Sequence, residues 1–293
     1  MKKLAILLLL LFFQNTNYCQ NTEPAFPFNV KVEGIGNPII LIPGLACSGE
    51  VWNQTVEILK NNYECHVLTL AGFNNQAPIA LEKGYLITIE KGLKAYIEKE
   101  LKSKPIVIGH SLGGFLAMSL ASKHSDLLEK IIIVDSYPFM SAAYNPNATA
   151  QNIVPQAKMM KDMILSAADS SYMEQQELTM STLMHDPDNM KLATKWSLES
   201  SRETIAQAMY ELMTTDLRTQ VSNIKIPVLV LGSWFGGKDY GITKDMVKRI
   251  FESQFKDTPF VTIKIADTAK HFIMWDEEQW FYENVQTFIR HEK

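Results

Sequence analysis

The stretch that decides the fold reads PIVIGHSLGGFLAMSLA, from Pro105 to Ala121. It begins with the short apolar run Pro105 to Ile108, which is typical of a buried β-strand, and it continues into the helical run Phe115 to Ala121. Between the two lies Gly109-His110-Ser111-Leu112-Gly113, a G-x-S-x-G motif in the strand, sharp turn and helix context of a nucleophile elbow. The pattern therefore predicts that Ser111 is a nucleophile in a strained turn.

Similar apolar runs recur on both sides of this stretch and alternate with helical patterns. The clearest helical face carries Leu86, Ile89 and Leu93. Strands that alternate with helices form a mostly parallel sheet covered by helices on both faces, so the predicted fold class is α/β. Asn29 to Val32 is compatible with an additional antiparallel edge strand. The other strand predictions are Pro38 to Ile42, Cys65 to Leu70, Lys130 to Val134, Ile226 to Leu231 and Phe260 to Ile265.

The alternation breaks once, between Tyr137 and Asn223, where several helical stretches replace the single expected crossover. We interpret this segment as a helical cap, at about residues 137 to 223. Most of the 14 methionines lie in it, and methionine suits an adaptable apolar pocket. Met209 and Met213 are accordingly predicted to bind substrate, although methionine that only fills the core of the cap is an equally good interpretation.

A serine nucleophile needs a general base, and that base needs an orienting acid. Among the six histidines, His271 follows the last predicted strand and precedes an amphipathic helix, which is the position the base requires. The favoured acid is Asp239, in the loop after the predicted strand Ile226 to Leu231. Asp135, directly after the run Lys130 to Val134, remains an alternative, and Asp267 is a third.

The oxyanion of an acyl-transfer reaction needs hydrogen-bond donors. One predicted donor is the backbone amide of Leu112, the residue after the nucleophile. The other is the amide of Leu45, in the loop Pro43-Gly44-Leu45-Ala46 that follows the first parallel strand.

Together these residues make the chain resemble an α/β-hydrolase fold enzyme from about Asn29 to Phe288, with a helical cap between the sixth and seventh core strands. The resemblance implies Ser111 as nucleophile, Asp239 as acid and His271 as base. The segment PVLVLG at 227–232 is similar to segments of the esterase, lipase and peptidase branches. Pro43-Gly44 departs from the usual His-Gly before the first oxyanion donor, which weakens assignment to a subfamily.

The function that the resemblance implies is a serine hydrolase that cleaves a small ester, thioester or lactone through an acyl-enzyme. An aminopeptidase or carbon–carbon bond hydrolase with the same triad, or a non-catalytic small-molecule-binding member of the fold, remains an alternative. Ser111 at the nucleophile position argues against dehalogenase and epoxide hydrolase activity. No metal or organic cofactor is expected, because no H-E-x-x-H, P-loop or G-x-G-x-x-G pattern occurs.

The first 19 residues have the pattern of a secretory signal peptide. Lys2 and Lys3 precede the apolar run Leu4 to Phe13, which is roughly half the ~20 residues that a membrane-spanning helix needs. A cleaved signal predicts a secreted or periplasmic protein with no stable membrane insertion and a hydrolase domain at 20–293. Lipid anchoring at Cys19 is less favoured, because Thr16-Asn17-Tyr18 lacks a small residue just before the cysteine.

Charge limits the possible binding partners, and the positions of the cysteines limit the possible disulfides. The net charge is -4 without a basic stripe, so nucleic-acid binding is not expected and the predicted partner is a small, apolar acyl substrate. Oligomeric state is left open. Cys47 and Cys65 fall at opposite ends of neighbouring predicted strands, too far apart for a disulfide, so both are predicted to be free thiols.

Overall fold

A central sheet of seven strands organises the computed structural model, which describes residues 26–290. The predicted signal peptide and Cys19 lie outside these residues. The spatial order is β1-β3-β2-β4-β5-β6-β7, with β1 antiparallel to β3 and the remaining described pairs parallel. The strands are β1 (Phe28–Gly34), β2 (Asn37–Ile42), β3 (Tyr63–Leu70), β4 (Ile106–His110), β5 (Lys130–Val134), β6 (Val228–Gly232) and β7 (Val261–Ile265).

Helices cover both faces of the sheet because the inner strands are apolar on both sides. Along β2, Ile40 and Ile42 enter one core while Ile39 and Leu41 enter the other, as the two-residue period of a strand requires. The helices are α1 (Asn53–Leu59), α2 (Tyr85–Glu100), α3 (Leu112–His124), α4 (Met140–Tyr144), α5 (Val154–Ser166), α6 (Asp169–Leu183), α7 (Pro187–Leu198), α8 (Arg202–Thr214), α9 (Lys244–Gln254), α10 (Ile273–Asp276) and α11 (Glu278–Arg290).

The predicted α/β class is confirmed, and each predicted strand is present with shifts of a few residues at its ends. The segment 137–223 holds α4 to α8 and contains no strand. It lies between β5 and β6, the fifth and sixth strands of the described sheet, rather than between a sixth and a seventh. The strand numbers are lower by one than predicted because only one described strand, β1, comes before the parallel strands β2 to β7.

The two cysteines of the described chain are free and buried, as predicted. Cys65 is level with Ile39 near the start of β2, whereas Cys47 follows the end of β2. Burial raises the pKa of Cys47 to about 12 and that of Cys65 to about 11, so both thiols are protonated at neutral pH. Within residues 26–290, no helix is both long and apolar enough to cross a membrane.

Candidate active site

Ser111 occupies a strained turn between β4 and α3. Its backbone has φ +52° and ψ −116°, a conformation that residues with a side chain rarely adopt, and its amide donates to the carbonyl of Val134 at 2.8 Å. The turn needs glycine on either side. A Cβ at Gly109 would lie 2.2 Å from the carbonyl oxygen of Gly113, and one at Gly113 would lie 2.2 Å from that of Ile42. The local sequence therefore fixes Ser111 at the end of the sheet.

The loop after β2 lies directly beside this turn. A Cβ on Gly44 would be 3.3 Å from the Cβ of Ser111. Leu45 follows Gly44, and Leu112 is the first residue of α3, where a helix leaves backbone N–H groups without intrahelical acceptors. The structure thus brings the chain segments of both predicted oxyanion donors next to the serine.

His271, in the loop after β7, is bound to Asp135. The Nδ1 atom of His271 lies 2.7 Å from Oδ2 of Asp135, and Asp135 comes directly after β5 with φ +46°. Ser233 holds the carboxylate from β6, because its amide donates to Oδ1 at 2.7 Å and its hydroxyl donates to Oδ2 at 2.8 Å. The Asp135 amide also donates to the Leu231 carbonyl at 2.7 Å, so both ends of this residue are tied to the neighbouring strand.

Asp239, the favoured acid in the sequence, does not occupy this position. It is exposed on a short 3-10 helix, Phe235–Tyr240, which the chain forms after β6. Gly236 on that helix lies against the cap, where its Cβ would be 3.0 Å from the Thr182 carbonyl oxygen. Asp267 forms an ion pair with Lys244 instead. The preference among the three aspartates is therefore reversed in favour of Asp135.

The reason for the reversal is visible at the end of β6. Ser233 stands where the strand ends, and it supports Asp135 rather than a carboxylate of its own loop. Sequence reasoning missed Ser233. The available signal was its place directly after an apolar strand run, next to the strand that ends at Asp135.

A cavity of about 90 Å³ connects the serine, the aspartate and the histidine. Its remaining walls are largely apolar and come from both the sheet side and the cap. This volume is well below the roughly 300 to 1,000 Å³ of pockets for drug-sized ligands. The lining residues are Ser111, Leu112, Phe115, Asp135, Ser136, Tyr137, Met140, Tyr144, Leu212 and His271.

The cap residue on α8 that lines this cavity is Leu212. Its neighbour Met213 is buried in a separate small cluster with Phe139 and Ala157, and Met209 packs against the same cluster. Met213 follows Leu212 and so points about 100° away from it around the helix, and neither methionine lines the cavity. The assignment of Met209 and Met213 to substrate binding is thereby corrected, and the interpretation of methionine as core of the cap fits their positions.

His110 is a second histidine beside the site. It is 1% exposed, its Nε2 donates to the His271 carbonyl at 3.1 Å, and its ring packs against the rings of both His271 and Phe272, with centroids 4.5 and 4.7 Å away. Burial, together with the nearby His271, holds the pKa of His110 well below its ordinary range. The sequence identified His110 only as part of the motif.

Two carboxylates at the junction of α10 and α11 hold the backbone around His271. Glu277 accepts hydrogen bonds from the Ala269 amide at 2.7 Å and from the Thr268 hydroxyl at 2.9 Å. Partial burial raises the pKa of Glu277, but these bonds outweigh it and the net direction is down. Asp276 accepts from the Lys270 amide at 2.9 Å. The histidine is thus held through its side chain and its chain neighbours.

The fold agrees with comparisons to known proteins. Residues 37–278 match the family described as alpha/beta hydrolase fold. The chain belongs to that family, as its resemblance indicated. A solved hydrolase from Pseudomonas aeruginosa superposes with a TM-score of 0.74 at 14% sequence identity, over 90% of this chain and 94% of that one.

Curated relatives extend the likeness to sequence. A pimeloyl-[acyl-carrier protein] methyl ester esterase of Vibrio atlanticus is 27% identical over 249 residues, covering 79% of this chain and 91% of the relative. The protein of the same name from Aeromonas hydrophila is 25% identical over 269 residues, with 89% and 99% coverage. With esterases of the same fold as its relatives, the chain is a hydrolase.

Proposed function

We propose that the protein is a serine hydrolase that cleaves a small ester through an acyl-enzyme. Ser111 is the nucleophile, His271 the general base and Asp135 the residue that orients the base. The observation that carries this proposal is the 2.7 Å hydrogen bond from His271 Nδ1 to Asp135, at the cavity that Ser111 also lines.

Each group has one task in the proposed reaction. His271 takes the Ser111 proton through Nε2 while Ser111 Oγ attacks the ester carbonyl, and Asp135 keeps the other ring nitrogen protonated and stabilises the imidazolium. The amides of Leu45 and Leu112 donate to the oxyanion. Collapse of the tetrahedral intermediate releases the alcohol with the proton from His271. Water, activated by the same histidine, then releases the acid.

The cavity supports a small apolar group next to Ser111. Apart from Asp135 and His271, its walls carry no ionisable side chain other than the tyrosines, and its volume of about 90 Å³ leaves space for only a short chain. The curated relatives are named as esterases of a methyl ester, which also has a small group on one side of the ester bond. We therefore place esters ahead of thioesters, lactones and amides as substrates.

The proposal is tested by labelling with a fluorophosphonate, which reacts with activated serines, followed by peptide mapping. We expect a single label on Ser111. The variants Ser111→Ala and His271→Ala should each lose on the order of a million-fold in kcat on p-nitrophenyl acetate, the scale of such losses in a serine protease. Ser222→Ala, at an exposed serine, is the matched control and should keep full activity.

Different outcomes lead to different conclusions. Folded protein without a label would favour the non-catalytic binding alternative. A labelled protein that hydrolyses amides or carbon–carbon bonds faster than esters would keep the triad and replace the substrate class.

We further propose that residues 1–19 are a signal peptide and that the protein is secreted or periplasmic. The support is the order of Lys2 and Lys3, the apolar run Leu4 to Phe13 and the polar residues before Cys19. The test is the N-terminal sequence and intact mass of the protein from fractionated host cells. An uncleaved chain in the cytoplasmic fraction would contradict the proposal, and a lipid-modified Cys19 would replace it with membrane anchoring.

A further inference from the structure

The C-terminal end of the cap helix α6 lies on the loop that carries His271. Phe272 donates from its amide to the Leu183 carbonyl at 3.2 Å. On the other side of His271, the Lys270 ammonium donates to the carbonyl of Ser181 at 2.7 Å and to that of Met184 at 3.1 Å. Carbonyls at the end of a helix lack intrahelical donors and carry its negative end, so a lysine is well suited to bind them.

A second set of bonds joins the same two segments. His185, just after α6, donates from its amide to Oδ1 of Asp276 at 3.0 Å and from Nε2 to the Thr268 carbonyl at 2.9 Å. The other oxygen of Asp276, Oδ2, accepts the Lys270 amide. The cap therefore contacts the loop at Thr268 and Lys270, which precede His271, and at Phe272, which follows it.

Position in the chain makes these contacts relevant to the base. Lys270 and Phe272 are the two covalent neighbours of His271, and both are bonded to the end of α6. The imidazole itself is bonded to Asp135 at the end of β5. Together with Asp276, Glu277 and His110, the cap thus holds the chain around the base, whereas the imidazole ring is held at the end of β5.

We propose that Lys270 is a positioning residue that couples the cap to His271, an inference that rests on the proposed role of His271 as the base. The ammonium fixes the α6 end against the loop and thereby sets the distance of the imidazole from Ser111. It touches neither substrate nor the reacting atoms, and it acts through the placement of its neighbour.

The chain offers a matched comparison for this lysine. Lys244 also bonds to the His271 loop, through an ion pair with Asp267, but this bond connects the loop to α9 rather than to the cap. Its partner is largely exposed, and exposed ion pairs contribute little to stability. If the connection to the cap is what matters, removing Lys244 should leave the base in place.

The experiment compares Lys270→Met, Lys270→Arg and Lys244→Met in the full protein. Steady-state kinetics on p-nitrophenyl acetate give kcat and KM, and proton NMR follows the low-field signal of the His271 Nδ1 proton shared with Asp135. Lys270→Met removes both hydrogen bonds from the ammonium to the cap, and we expect it to lower kcat about tenfold, the lower end of the scale for hydrogen bonds of a charged group, with KM nearly unchanged. Its low-field signal should broaden or shift, whereas Lys270→Arg should restore both readouts and Lys244→Met should resemble the parent.

Wild-type kcat and an unchanged signal in Lys270→Met would overturn the coupling, as would an equal loss in Lys244→Met. Circular dichroism at the assay temperature verifies folding. Should the methionine variant not fold, Lys270→Gln takes its place with the same expected fall in kcat. His271→Ala separates the two proposals, because activity in that variant refutes the proposed function, whereas an inactive His271→Ala beside a normal Lys270→Met refutes the coupling alone.

Discussion

The ends of β5 and β6 differ in a way that decides which carboxylate is bonded to His271. The two strands are parallel neighbours, with Val134 level with Leu231, and both end at the same edge of the sheet. After β5 the next residue is Asp135, held by three hydrogen bonds from or to the end of β6. After β6 the chain passes Ser233 and places Asp239 on an exposed 3-10 helix. The position of a carboxylate directly after a strand is fixed by hydrogen bonds to the neighbouring strand, whereas a carboxylate farther along a loop lacks that constraint.

The largest expected effect separates these two aspartates directly. Asp135→Asn should lower kcat on the order of 10⁴-fold, the scale known for the corresponding serine-protease substitution, because an amide no longer selects the productive tautomer of His271. Asp239→Asn should change kcat by less than about twofold, since surface substitutions away from the site have small effects. Kinetics on p-nitrophenyl acetate check both, and a greater loss in Asp239→Asn would mean that the loop after β6 supplies the acid in solution.

A smaller effect is expected at the residue that links the two strand ends. Ser233→Ala removes the hydroxyl donor to Asp135 and keeps the amide donor, so kcat should fall about tenfold or less with KM unchanged. Ser253→Ala, at an exposed serine on α9, is the control. If the two variants have equal kcat, the support from β6 is supplied by the backbone alone.

The same reasoning, applied to the cap, distinguishes two neighbours on α8. Leu212→Ala enlarges the cavity beside Ser111, so the ratio of kcat/KM for p-nitrophenyl hexanoate over acetate should rise several-fold, about the value of one or two methylenes in an apolar site. Met213→Ala should leave that ratio unchanged while it lowers the free energy of unfolding by about 2 to 5 kcal/mol, because the side chain is buried in the cap. A change of that ratio in Met213→Ala would mean that the methionines line the substrate pocket after all.

The smallest effect concerns stability as a function of pH. Burial keeps the pKa of His110 well below 6.5, and burial also lowers the pKa of His66. Below about pH 6.5 the unfolded chain binds protons that the folded protein does not, so the free energy of unfolding decreases as pH falls, by at most about 1.4 kcal/mol per pH unit for each histidine. His110→Gln should flatten this slope in urea unfolding between pH 6.5 and 5, leaving the part due to His66. An unchanged slope would show that His110 takes up its proton equally in both states.

Local sequence patterns predicted the elements of the fold well, because buried parallel strands are short apolar runs and the elbow needs its glycines close to Ser111. They also identified His271 as the histidine after the last strand. The choice between Asp135 and Asp239 depended instead on how the chain leaves β6, which is decided by contacts of Gly236 and Ser233 with distant residues. The directions of Leu212 and Met213 likewise depend on the rotation of α8 about its axis, which composition does not reveal.

The backbone conformation at Ser111 and Asp135 means that two of the proposed catalytic residues reduce the stability of the fold. Both have positive φ, +52° and +46°, and such conformations cost a residue with a side chain of order 1 to 3 kcal/mol. Glycine at Ser111 would relieve part of that strain and remove the proposed nucleophile. With the proposed roles, selection for thermal stability or expression yield alone would favour inactive variants at these positions, and the amount of folded protein would be a poor guide to the amount of functional protein.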